Sequence, residues 1–88
     1  MDIGVNFPLD PFYKGCILDA ETISNRNGWW TAVLLIKAPR SNEKFVALYK
    51  WQQVQGSWRK RSSWKFKSNQ DFLTTFSIVQ KLVQSLDK

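Results

Sequence analysis

The clearest candidates for chemistry in this sequence are cationic side chains in the second half of the chain. Between Lys44 and Lys67 there is no carboxylate, but there are seven basic residues: Lys44, Lys50, Arg59, Lys60, Arg61, Lys65 and Lys67. Side chains of the same positive charge repel one another along such a segment unless an anion binds across it. Lysine and arginine bind phosphate groups and release counterions when they do so. The spacing therefore predicts an anion-binding surface, and the alternative is a solvated edge strand protected by its lysines.

Tryptophan is the second unusual feature, with five residues in a chain of 88. Trp58 adjoins the basic cluster Arg59–Arg61, and Trp51 lies across a predicted hairpin from it. Exposed aromatic rings stack on the bases of single-stranded nucleic acid, whereas a duplex offers no bare base faces. Aromatic residues beside cations therefore favour a single-stranded ligand. The alternative is burial in a small core, which we expect for three aromatic residues nearer the strand ends, Phe45, Trp64 and Phe66.

Several kinds of chemistry find no support in the composition. The chain has no histidine and only one cysteine, Cys16, so it lacks His/Cys zinc sites, histidine acid–base catalysis and an internal disulfide. Asp19 and Glu21 suggest no third metal ligand, and the scattered glycines form no phosphate-binding loop. We expect no enzyme activity, metal, cofactor or small-molecule substrate. The longest apolar run, 32–36, is far short of a membrane span. A single cysteine suits a reducing location, so we expect the cytoplasm, with nucleoid association, or a nucleus.

The residues above must be positioned by strands and one helix. Asn27-Gly28 and Gln55-Gly56 are typical hairpin turns, and the residues around them are rich in β-branched and aromatic types. Ser68 with Asp71 predicts a helix start, followed by apolar residues at three- and four-residue steps. The predicted strands are about Lys14–Ile23, Trp29–Lys37, Lys44–Val54 and Ser57–Lys67. We expect an α+β fold: an irregular arm, 1–12, then one domain, 13–88, with a four-stranded antiparallel meander and a C-terminal amphipathic helix packed on one face.

Alternation along the last two strands predicts which residues share a face. With a two-residue turn at Gln55-Gly56, Trp51 pairs with Lys60, Tyr49 with Ser62, Ala47 with Trp64, and Phe45 with Phe66. One face then packs on the helix and carries Phe45, Ala47, Tyr49, Trp51, Trp58, Trp64 and Phe66. The other is a basic surface that carries Lys44, Val46, Leu48, Lys50, Arg59, Arg61, Ser63, Lys65 and Lys67.

The helix has a wider apolar arc than one sheet would need to cover. Ile78 lies outside the main stripe and, with Thr75 and Leu82, forms a second stripe beside it. We expect these three residues to form a homodimer interface, since two-fold dimers are the commonest assemblies. The alternative is a single exposed isoleucine without a role.

The order of elements resembles the positive-cofactor-four-like transcriptional coactivator family, in its short bacterial, phage and archaeal form. The resemblance covers Ile23–Leu86. Gly28-Trp29 is similar to the family's glycine–tryptophan turn, Lys44–Trp51 to its basic–aromatic strand, and Asp71-Phe72 to its helix start. The segment Arg61–Phe66 departs from the family because it lacks the glycine expected there. The resemblance implies a dimer packed through helices, whose sheets form a groove for single-stranded DNA.

Together these observations predict a protein that binds single-stranded DNA with little sequence preference. The stacking residues would be Trp29, Trp51 and Trp58. The phosphate contacts would be Lys44, Lys50, Arg59, Lys60, Arg61, Lys65 and Lys67, with Arg26 and Arg40 at the periphery. Two alternatives stay open. In the first, the ligand is RNA, since stacking and phosphate contacts serve both nucleic acids. In the second, the chain is a protein-interaction module whose basic sheet meets an acidic partner.

Overall fold

The computed structural model describes residues 7–9, 13 and 15–87. Its elements are four strands, β1 (Ile17–Arg26), β2 (Trp29–Lys37), β3 (Lys44–Val54) and β4 (Ser57–Phe66), and one helix, α1 (Asn69–Val83), which continues as a 3-10 turn over Gln84–Asp87. The strands pair in the order β1-β2-β3-β4, and every pair is antiparallel. The α+β meander followed by one C-terminal helix is therefore confirmed. The first strand begins at Ile17 rather than near Lys14, which lies outside the described residues.

Two tight turns bring both hairpins to the same end of the sheet. Asn27 and Gly28 have φ angles of 56° and 79°, and Gln55 and Gly56 have φ angles of 51° and 81°. Two consecutive residues with positive φ match the right-handed twist of the strands they connect, and glycine adopts such angles without strain. Both predicted hairpin turns are thus confirmed. The loop between β2 and β3 lies at the opposite end.

One face of the sheet is buried, and we call it the inner face. Its buried side chains alternate along the strands: Ala20, Trp30, Ala32, Leu34, Ile36, Phe45, Ala47, Tyr49 and Trp51. The described part of the N-terminal arm, residues 7–9, covers this face, since Phe7 and Leu9 are buried against it. The Phe7 ring lies 5.1 Å from the Trp30 ring and 6.1 Å from the Trp51 ring. The arm, not the helix, therefore closes the core. Arm residues 1–6 and 10–12 lie outside the described part of the chain.

The helix begins as the sequence predicts. Ser68 is its N-cap, and the Ser68 hydroxyl accepts a hydrogen bond of 3.0 Å from the backbone N–H of Asp71. Its contact with the sheet is narrow, however, and centres on the Phe72 ring, 5.3 Å from the Phe66 ring of β4. None of its residues is buried. The expectation that α1 packs along one sheet face is therefore wrong, because the arm already fills the inner face. Among the described residues, no helix has the length and hydrophobicity to span a membrane.

A β-bulge in β4 changes the register of the last hairpin. Trp51 pairs with Lys60 as predicted, but Lys50 pairs with Ser62, so Arg61 is an extra residue. Beyond the bulge the predicted pairs are wrong by one residue: Tyr49 pairs with Ser63, Ala47 with Lys65, and Val46 with Phe66. A shift of one residue exchanges the two faces. Ser63 and Lys65 therefore lie on the inner face, and Trp64 and Phe66 on the other, which we call the outer face.

Candidate nucleic-acid interface

The outer face carries a row of four residues, one from each strand, beside the two hairpin turns. Arg26 of β1 pairs with Trp29 of β2, Trp29 with Gln52 of β3, and Gln52 with Arg59 of β4. Directly paired residues point to the same side of a sheet. We call these four residues the first row. With adjacent strands about 4.8 Å apart, the first row spans roughly 14 Å and has an arginine at each end.

The second row lies one step further from the turns and contains Ser24, Thr31, Lys50 and Ser62. The bulge residue Arg61 lies beside it. Two contacts join these positions to the first row. The ammonium group of Lys50 lies 5.1 Å from the centre of the Trp29 ring, and the Arg61 Nε donates a hydrogen bond of 2.9 Å to the Gln52 Oε1.

The two rows together, with Arg61, form what we call the cationic end. It contains four cations, Arg26, Lys50, Arg59 and Arg61, and no carboxylate. The first acidic residue on this face is Glu21, in the next row. Trp29 is 37% exposed, so part of its ring is accessible to a ligand. Guanidinium groups bind phosphate in bidentate fashion, and an indole face stacks on a base. The cationic end can therefore hold a phosphate backbone on both sides of a base on Trp29.

Two predicted stacking residues lie elsewhere. Trp51 is 1% exposed, because it belongs to the inner face beneath the arm, and its ring stacks on Tyr49 at 5.2 Å. Its predicted role as a base platform is wrong. Trp58 is half-buried on the inner face, and its ring meets the Trp30 ring edge-on at 5.5 Å. Trp58 therefore contributes to the core rather than to the cationic end.

Five predicted phosphate contacts are also separated from the cationic end. Lys60 and Lys65 lie on the inner side, since they pair with Trp51 and Ala47. The Lys65 ammonium donates to the Tyr13 hydroxyl at 3.1 Å and lies over the Tyr13 and Phe45 rings at 5.0 and 4.9 Å. Lys44 begins β3 and Lys67 follows β4, so both lie at the far end of the sheet, as does Arg40 in the loop. The bulge and the strand lengths, rather than the charge pattern, decide these positions.

Two residues of the outer face were missed by the sequence interpretation. Gln52 occupies the middle of the first row, and the alternation Lys50, Gln52 along β3 would have found it. Trp64 is 53% exposed and stacks on Phe66 at 5.8 Å, although the sequence predicted a core position for both. Its exposure follows from the bulge, for which the sequence carries no clear signal.

The predicted dimer residues lie on an exposed helix. Ile78 and Leu82 are 55% and 63% exposed, and Thr75 is half-buried. Among the described residues, no group of three or more histidine, cysteine, aspartate or glutamate side chains is placed to hold a metal ion.

Comparison of the chain with protein-family models, with curated protein sequences and with solved structures found no match. The resemblance to the positive-cofactor-four-like family therefore stays a prediction that rests on the residues quoted for it.

Proposed function

We propose that this protein binds single-stranded nucleic acid at the cationic end of the outer face, with DNA as the first candidate. The observation that carries the proposal is the first row, in which two arginines flank an exposed tryptophan across four strands. Phosphates bind the cations and a base stacks on Trp29. The role is binding without catalysis.

The chemistry of the cationic end favours a single strand of any sequence. Stacking on an indole needs an unpaired base and works with every base, since all bases have an aromatic face. Contacts between cations and phosphates carry no sequence information. Low sequence preference follows from both. A nucleic-acid ligand and a single cysteine favour the cytoplasm, or a nucleus in a eukaryote.

The Lys50 ammonium has one contact in the free protein and a different one in the complex. In the free protein its ammonium lies over the Trp29 ring, an interaction of about 0.5–1 kcal/mol at an exposed position. A stacked base contributes about 1–3 kcal/mol. The base therefore displaces Lys50 from the ring, and the released ammonium can pair with a neighbouring phosphate.

The test is a titration of a labelled dT oligomer of about ten nucleotides, at about 50 and 200 mM salt. For single strands the log–log salt slope is about −0.7 per phosphate contact, so a double variant Arg59→Ala/Arg61→Ala should reduce the slope by about 1.4. The matched control is Lys44→Ala/Lys67→Ala, which removes the same charge at the far end and should leave affinity nearly unchanged.

The outcomes separate the alternatives. Salt-independent binding, or equal losses in the two double variants, would contradict a site at the cationic end. A matched RNA oligomer that outcompetes DNA would make RNA the ligand at the same surface. No binding of either oligomer would overturn the proposal and favour an acidic protein partner.

A further inference from the structure

The helix exposes a continuous apolar stripe. Eight large apolar side chains of α1 and the following turn are each 39–79% exposed: Phe72, Leu73, Phe76, Ile78, Val79, Leu82, Val83 and Leu86. At 100° per residue, Phe72, Phe76, Val79 and Val83 fall within a narrow arc at the centre of the stripe. Single exposed apolar residues are normal, but a stripe of this length marks an interaction surface.

The outer face carries a second exposed apolar area, which we call the apolar patch. It occupies the third and fourth rows and contains Val33, Leu35, Val46, Leu48, Trp64 and Phe66. Trp64 is 53% exposed, and Val46 and Leu48 are each 37% exposed. At the edge of these rows lie Asp19 and Glu21. Carboxylates beside an apolar surface disfavour phosphate, so the patch is not an extension of the cationic end.

The helix touches the patch of its own chain at Phe66 and leaves most of the patch uncovered. A cavity of about 480 Å³ opens where α1 starts, lined by Leu35, Val46, Phe66 and Phe72 among others. The radius of gyration is 14.5 Å, whereas a compact chain of this length has a value of about 12 Å. The chain is thus more extended than a closed monomer, and both apolar areas lack a partner among the residues that the structure describes.

We propose that the partner of both areas is a second copy of this chain, with the helix of each copy packed on the apolar patch of the other. One chain carries both halves of the contact, as a two-fold interface requires. The eight helix residues are about half exposed, which leaves roughly 400 Å² of apolar surface at about 100 Å² per side chain. With the patch this approaches the roughly 800 Å² per partner of a stable interface.

This arrangement goes beyond pairing of two helices through Thr75, Ile78 and Leu82. Phe76 and Val79 become central, and Ile78 and Leu82 flank them. Trp64 is the aromatic anchor on the sheet side, the type of residue that dominates interface energies. The proposal is independent of the nucleic-acid ligand, since the apolar patch and the cationic end occupy different rows.

The first test is the mass of the full chain by sedimentation equilibrium, from about 1 to 100 μM. The wild type should have twice the chain mass of 10.3 kDa. Val79→Asp should give a monomer, because it puts a charge at the centre of the stripe. Ser77→Asp is the matched control: it adds the same charge roughly 160° around the helix and should stay dimeric. Near-UV circular dichroism of the buried tryptophans checks that each variant is folded.

The second test separates the sheet half of the interface from the helix half. Trp64→Ala should weaken dimerisation at least about tenfold and leave binding of a short oligomer unchanged, whereas Trp29→Ala should do the reverse. A monomeric wild type, or a dimeric Val79→Asp, would overturn the proposal. Unchanged dimerisation in Trp64→Ala would also overturn it, because the helices would then pair only with each other.

Discussion

The sharpest prediction concerns replacement of Trp29 by alanine. Stacking of one base contributes about 1–3 kcal/mol, but the base must first displace the Lys50 ammonium, which lies 5.1 Å from the ring centre and contributes about 0.5–1 kcal/mol. From the middle of each range, the net loss in Trp29→Ala is about 1.25 kcal/mol. This corresponds to binding that is about 8-fold weaker. Fluorescence anisotropy of a labelled dT oligomer measures it without relying on the tryptophan that is removed.

The salt dependence gives this prediction a second readout. Trp29→Ala removes no phosphate contact, so its salt slope should equal that of the wild type, whereas Arg59→Ala should reduce the slope by about 0.7. Trp29→Phe keeps an aromatic face and should recover part of the affinity. Wild-type affinity in Trp29→Ala would refute the reasoning, and so would a changed slope, because Trp29 would then act through the neighbouring charges.

Three further substitutions test the parts of the fold that support the cationic end and the helix. Phe7→Ala should lower the free energy of unfolding by about 3–5 kcal/mol in a denaturant titration, because it opens a cavity beneath the arm; a loss below about 1 kcal/mol would mean that the arm does not close the core. Gly56→Ala should cost about 1 kcal/mol in the same assay, since its φ of 81° strains any residue with a Cβ, and an unchanged midpoint would contradict this turn geometry. Ser68→Ala should remove about 1 kcal/mol of helix stability by deleting the N-cap bond, seen as lower helical circular dichroism at 222 nm; undiminished helicity would show that the cap is dispensable.

Local signals predicted the elements well. The bounds of β2 and β3 agree with the sequence interpretation. The positive-φ turn at Asn27-Gly28 sets the start of β2, and the one at Gln55-Gly56 sets the end of β3. The start of α1 was also predicted, since Ser68 can satisfy a free amide of the first turn. These features depend on a few neighbouring residues, which a single sequence displays completely.

The segment that covers the inner face could not be predicted in the same way. The apolar stripe of the helix can be recognised in the sequence because its residues recur every three or four positions. Phe7 and Leu9, by contrast, lie in an irregular segment without periodicity. Which of two apolar segments fills the inner face depends on their competition for the same surface. In this structure Phe7 of the arm packs against Trp30 and Trp51 on the inner face, and the apolar stripe of the helix stays exposed.

The division of the outer face into two surfaces depends on the bulge residue Arg61. Before the bulge, Arg59 keeps the orientation that simple alternation gives. After it the orientation is inverted, so Trp64 and Phe66 turn outward and Lys65 turns inward to the Tyr13 hydroxyl. Without the extra residue, cations would continue along the outer side of β4 and both aromatic rings would point into the core. One added residue therefore confines the outer-face cations of β4 to the hairpin end and presents an apolar surface beyond them, so that one face of a small sheet carries the two surfaces for which we propose two different partners.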